Sequence, residues 1–144
     1  MKKNSDLKEQ KNKITLAIKK HIIPELRVNG FSGTFPHFRK KENKTLQFVS
    51  FQFGRSSLEG KFVIELGLVS KQDLPDWAKS LPEEKLNYGL SRYRHRLGAK
   101  SKGEDGVWFD FQSPQNEEEF DEIALKAREI FADEYPIFLQ TYLN

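Results

Sequence analysis

The chain has 144 residues, of which 37% are hydrophobic and 12% aromatic, with 12 phenylalanines and no cysteine. That length supports one core and not two, so a single domain spanning 1–144 is expected, and the lack of cysteine excludes disulfides, thiolate nucleophiles and cysteine-based metal sites. The net charge of +3 hides an asymmetry, with residues 1–44 at +8, 45–103 at +4 and 104–144 at −9. A basic head points toward nucleic acid and an acidic tail toward a basic partner. Two terminal helices lying together on one side of a sheet would neutralise each other, which is the simpler reading. The N-terminal "MKKNSDLKEQKNK" runs into charge rather than an apolar segment, so no signal peptide is expected. No apolar stretch approaches the length of about 18 residues that spans a bilayer, so a soluble, cytoplasmic protein without membrane contact is expected.

In chain order, Asn4 or Ser5 opens a helix with Asp6 and Glu9 in its first turn, where the helix dipole favours acids. Leu7, Ile14, Ala17, Ile18, His21 and Ile22 recur at three- and four-residue steps and form one apolar stripe among lysines. Pro24 kinks that helix or opens a fresh turn, and Asn29-Gly30 ends it. The period then changes to two. "TFPHFRK" reads as an edge strand, because Pro36 cannot donate to a ladder. "TLQFVSFQF" puts Val49, Phe51 and Phe53 on one face with Leu46 and Phe48 on the other, and "KFVIELGLV" points Phe62, Ile64, Leu66 and Leu68 inward with Lys61, Val63 and Glu65 outward. Residues 70–90 lose the alternation and predict an excursion of short helical turns capping the sheet. "RYRHRL" and "VWFDF" resume strand character around the turn "GAKSKGEDG". Asn116 and Glu119 form a capping box, Phe120, Ile123, Ala127, Ile130 and Phe131 give the last helix its stripe, and Pro136 breaks it before a short terminal helix, "IFLQTYL". The expected fold is therefore α+β: about five antiparallel strands with N- and C-terminal helices packed on one face, leaving the other face open.

The order of Gly30-Phe31, "FPHFRK", "FVSFQFGRSS", "KFVIELGLV", "RHRLG", "VWFDF" and "YPIFL" resembles a bacterial family of domains of unknown function, number 4304 in its series, from about Leu7 to Tyr142. In that family the "R-x-R-L-G" strand is commonly followed by two adjacent tryptophans; here Trp108 matches the first and Phe109 stands at the second. The resemblance implies an α+β domain and supplies no reaction, ligand or catalytic residue.

The residues carry little catalytic chemistry. His21 lies in a helical stripe and His37 and His95 on strands, with no metal-ligand spacing, so neither a metal nor a cofactor is expected. There is no nucleophile elbow and no glycine-rich phosphate loop, and Ser56 and Ser57 suit turn geometry. The informative stretch is "SRYRHRLGAK". Alternation turns Tyr93, His95 and Leu97 toward the helices and Arg92, Arg94 and Arg96 to the open face, where Trp108, Asp110 and Glu65 join them. Trp108 and an arginine on neighbouring strands can stack, and Glu65 and Asp110 can pair with arginines across strands. Arginine and aromatic side chains are enriched at binding hot spots and also clamp single-stranded nucleic acid. Three readings stay open: a non-enzymatic module binding a protein partner, a nucleic-acid binder, and an enzyme for a small anionic ligand with His95 and Arg94 near it. Alternation weakens the third by setting His95 and Arg94 on opposite faces. A surface that satisfies its own charges competes with all three. The chain is expected to be a monomer or a weak homodimer paired through exposed strand edges.

Overall fold

The computed structural model describes residues 4–99 and 106–143, with side chains from residue 6 onward. Helix α1 (Asn4–His21) carries Asp6 in its first turn and Lys19, Lys20 and His21 in its last, both favourable to the dipole. Its buried apolar positions, Ile14, Ala17 and Ile18, follow the expected stripe. Pro24 opens a second helix, α2 (Ile23–Val28), in the first turn, where a missing N–H costs no hydrogen bond. Gly30, at φ +90°, then turns the chain out of the helix, and Phe31 N–H closes back on the Leu26 carbonyl at 3.0 Å.

Six antiparallel strands follow: β1 (Ser32–Thr34), β2 (His37–Glu42), β3 (Thr45–Phe53), β4 (Lys61–Ser70), β5 (Tyr93–Arg96) and β6 (Phe109–Asp110). They lie in the order β1-β2-β3-β4-β5, and β6 also pairs with β4. In the sheet the structure changes two expectations. The stretch "TFPHFRK" is not one edge strand: the cis Phe35–Pro36 peptide sits in the turn between β1 and β2, with Thr34 opposite His37. Proline has no donor for the ladder, so the turn is where it fits. Strands β5 and β6 are not neighbours either. Both pair with β4, end to end along one edge, Tyr93–Arg96 against Glu65–Leu68 and Phe109–Asp110 against Lys61–Phe62. Most of the turn expected at 98–106 lies outside the described residues.

The inner face carries Phe38, Val49, Phe51, Phe62, Ile64, Leu66, Leu68, Leu97 and Phe109, all buried against α1, α2 and the last helix, α4 (Glu117–Leu143). Phenylalanine dominates this core: Phe62 stacks on Phe109 at 5.1 Å and lies 6.4 Å from Phe51, and Phe53 meets Phe111 edge-on at 5.7 Å. The end of α1 lies beside the first turns of α4, and the two helices run the same way. Gln10 Nε2 donates to the Phe111 and Pro114 carbonyls, His21 meets Asp121, and Phe31 meets Tyr135. At the α4 N-terminus Asn116 Oδ1 accepts from Glu119 N–H, while the Glu119 carboxylate accepts from Gln115 N–H, closing the expected capping box one residue early.

Pro136 does not break α4, which runs unbroken for 27 residues with the proline inside it. Tyr135 and Phe138 flank Pro136 and are buried in the inner core, and Phe138 meets Tyr142 at 5.2 Å. That burial outweighs the one donor lost at an exposed position.

Residues 71–91 form the expected capping layer on the outer face. They comprise helix α3 (Asp76–Lys79) and 3₁₀ turns at Lys71–Asp73, Glu83–Lys85 and Tyr88–Leu90. Leu74, Ala78 and Leu86 bury themselves on Leu46, Phe48 and Val69, a second, smaller core. The sheet is thus sandwiched between a helix layer and a loop layer that covers one end of its outer face.

Candidate functional site

Alternation on β5 turns Tyr93 and His95 to the helices and Arg94 and Arg96 outward, as the sequence indicates. Register then decides what each arginine meets. Arg96 lies directly opposite Glu65 on β4, Glu65 opposite Ser50 on β3, and Ser50 opposite His37 on β2. One polar row therefore crosses four strands. Arg96 Nε donates to Glu65 Oε2 at 3.2 Å, and the Tyr88 hydroxyl donates to the same oxygen at 3.3 Å. His37 Nδ1 lies 3.1 Å from Ser50 Oγ.

The Arg96 guanidinium also lies 5.5 Å from the Trp108 ring centre. The contact expected of a tryptophan and an arginine therefore forms, although Arg96 on β5 and Trp108, just before β6, reach it along the same edge of β4 rather than from neighbouring strands. Asp110, opposite Lys61, is exposed and accepts from Gln112 N–H at 2.7 Å.

The outer face is not open where it was expected to be. Val63 is 0%, Ser50 5% and Glu65 8% exposed, so the row is mostly covered. A carboxylate at that depth requires partners, and Arg96 and Tyr88 supply them. Burial, and then the nearby Glu65 charge, push the Tyr88 hydroxyl well above its ordinary range.

Arg94 has another task. Its Nη2 donates to the Gly89 carbonyl at 3.0 Å, its Nε donates to the Ser91 carbonyl, and its guanidinium lies 5.0 Å from the Tyr88 ring centre. It thus ties the 3₁₀ turn at Tyr88–Leu90 to β5. Gly67 explains why that turn lies so close: a Cβ there would stand 2.0 Å from Ser91 Oγ. Ser91 Oγ is itself buried without a hydrogen-bond partner. Arg92 is exposed, 5.6 Å from the Tyr93 ring centre. Neither Arg92 nor Arg94 pairs with a carboxylate among the described residues.

On the inner side, His95 Nε2 lies 2.7 Å from Glu134 Oε1, and the same oxygen accepts from Gly98 N–H at 2.8 Å. His95 also stacks on Phe138. It joins β5 to α4, while Arg94 leaves from the opposite face, so these two side chains share no site. Among the described residues no group of three or more His, Asp or Glu side chains could hold a metal ion, and no helix is long and apolar enough to cross a membrane.

Of the six residues singled out in the sequence, Glu65, Arg96 and Trp108 come together, Arg94 faces the cap, and Arg92 and Asp110 stand at the rim. Sequence reasoning missed Tyr88, Ser91 and Glu134. Tyr88 and Ser91 lie in a stretch without periodicity, and Glu134 is one of several acids on a helix. It also missed Trp77, which stands 64% exposed on α3 although its neighbour Ala78 is buried.

No curated protein and no solved structure matches the chain. The model of the family described as Domain of unknown function (DUF4304) matches residues 22–127, from the end of α1 to the middle of α4. That match takes in every strand and the capping layer, and it is narrower at both ends than the resemblance drawn from the motifs. The chain belongs to the DUF4304 family.

Proposed function

We propose that this domain is a non-enzymatic module that binds a protein partner on the outer side of its sheet, through the rim that Arg92 and Arg94 share with the capping layer. One observation carries the reading. Arg96 is committed to Glu65, whereas Arg92 and Arg94 lie on tyrosine rings with no carboxylate partner among the described residues. A guanidinium held over a ring is pre-oriented for a carboxylate of the partner and loses little side-chain freedom on binding. Trp77, on the layer that Arg94 fastens, adds the kind of exposed aromatic that anchors interfaces.

Arg96 is unsuited to testing this, since its removal strips a buried carboxylate. The test places a photo-crosslinking residue at position 77, and separately at position 140 on α4, in host lysate. A discrete protein adduct is expected at 77, absent at 140 and weakened by Arg92→Glu. Identical adducts at both positions, or an adduct indifferent to Arg92→Glu, would overturn the reading. Recovery of nucleic acid with a steep salt dependence would transfer the site to the competing single-stranded ligand.

A further inference from the structure

We propose that the corner of the outer face where the β2–β3 turn meets the capping layer binds a small phosphorylated molecule, its phosphoryl group held between Lys41 and Lys71 with Lys44 beside them. Register builds the corner. Lys41 lies opposite Leu46 on β3, and Leu46 opposite Val69 on β4. Leu46 and Val69 belong to the smaller core under the capping layer, so Lys41 stands on that same outer face, at its edge. Lys44 follows in the turn between β2 and β3, and Lys71 opens the capping layer. The Lys71 N–H donates to the Lys44 carbonyl at 2.8 Å, which fixes the layer to the turn.

Three ammonium groups thus share one corner. Among the described residues none of them forms an ion pair or lies over a ring. In this they differ from Arg96, committed to Glu65, and from Arg92 and Arg94, which lie on tyrosines. Lys40, next to Lys41, alternates to the other face, where Glu42 takes it at 3.2 Å. Lys41 and Lys44 are exposed and Lys71 is half-buried. Burial, and then the Lys41 charge against it, hold the Lys71 ammonium below its ordinary pKa, and Glu83 offsets only part of this. Two like charges held together without an anion repel, and a bound dianion removes that repulsion.

Charge and extent select the ligand. A phosphoryl dianion matches two adjacent ammonium groups, and its terminal oxygens accept from lysines, which bind phosphate as compact point charges. A single carboxylate would neutralise only one of the pair. The basic region is also short. Asp73 lies two residues beyond Lys71, and Glu83 and Glu84 open a later turn of the layer, all three exposed. A run of nucleic-acid backbone would meet those acids, whereas a mono- or diphosphate fits between the lysines. The corner lies toward β2, across the sheet from the β5 rim, so the site is independent of the protein-binding reading.

Calorimetric titration of the full chain with inorganic pyrophosphate, at low salt, tests this. Saturable binding at one site is expected. The Lys41→Gln, Lys71→Gln variant should weaken it about tenfold or more, and Lys44→Gln alone about threefold. The Lys8→Gln, Lys19→Gln variant removes as much charge from exposed positions on α1 and should leave the affinity within about twofold. Pyrophosphate should raise the thermal midpoint of the wild type and leave that of the Lys41→Gln, Lys71→Gln variant unmoved, which also shows that variant to be folded. Absence of saturable binding, or equal weakening in the α1 variant, would overturn the proposal. So would tighter binding of a duplex oligonucleotide through the same lysines with a steep salt dependence, which would make the ligand a polynucleotide.

Discussion

Gly67→Ala tests whether the loop layer is fitted to the sheet or merely rests on it. The new methyl group would stand 2.0 Å from Ser91 Oγ, 2.9 Å from Ser91 Cβ and 2.9 Å from Tyr88 Cδ2. Gly67 lies in the middle of β4, paired with Phe48 and Arg94, so the strand cannot yield and the turn at Tyr88–Leu90 must lift. Overpacking of this kind costs about 1–3 kcal/mol. At a urea slope of about 2 kcal/mol/M, a loss of about 2 kcal/mol moves the unfolding midpoint down by about 1 M. Ser91→Gly alone removes a hydroxyl that makes no hydrogen bond, so it should cost little beyond glycine's greater freedom when unfolded. The double variant should recover most of the stability lost by Gly67→Ala, leaving only the Tyr88 contact. Additive effects in the cycle would refute the direct clash, and so would an unchanged midpoint in Gly67→Ala.

Three further outcomes are expected. Arg96→Met leaves the Glu65 carboxylate buried beside Tyr88 alone and should cost about 3–5 kcal/mol by urea unfolding, with Glu65→Gln added on top restoring part of the loss. Pro136→Ala returns a donor to the interior of α4 at an exposed position and should raise stability by about 1–3 kcal/mol in the same assay. The Lys20 ammonium, and after it His21, hold the Asp121 carboxyl below its ordinary range. A pKa depressed on folding contributes stability that is complete above the unfolded value of about 3.9 and is lost as pH falls below it. Wild type should therefore exceed Asp121→Asn in stability at neutral pH, with the gap closing as the solution is acidified below about pH 4.

Alternation made β3 and β4 legible residue by residue: each has one face in the helix-side core, and a two-residue period cannot hide that. The stripes of α1 and α4 were equally clear. What the sequence concealed depends on partners distant along the chain. The pairing of β5 and β6 to one edge of β4 is set by register, which neither short strand specifies alone. The continuity of α4 past Pro136 rests on Tyr135 and Phe138, whose burial no local rule records. At the candidate site, Arg96 and Trp108 could be placed together because both alternate outward, and Glu65 because its strand is long. Tyr88 and Ser91 could not, since a stretch of 3₁₀ turns has no period from which to read a direction. The burial of Val63 and Glu65 was hidden for a related reason: whether an outward face meets water depends on what other segments lay over it.

The adjacency of α1 and α4 bears on how the chain is made. His21 and Asp121 are 100 residues apart, and Gln10 and Pro114 are 104 apart. At about 5–20 residues per second, a ribosome takes about 5–20 s to cover that distance. Through that interval Ile14, Ile18 and Ile22 have no α4 to lie beside, and the phenylalanine face of β3 and β4 has only half its roof. A chain cut before Glu117 would lack every α4 side chain of the inner core, Phe120, Phe131 and Phe138 among them.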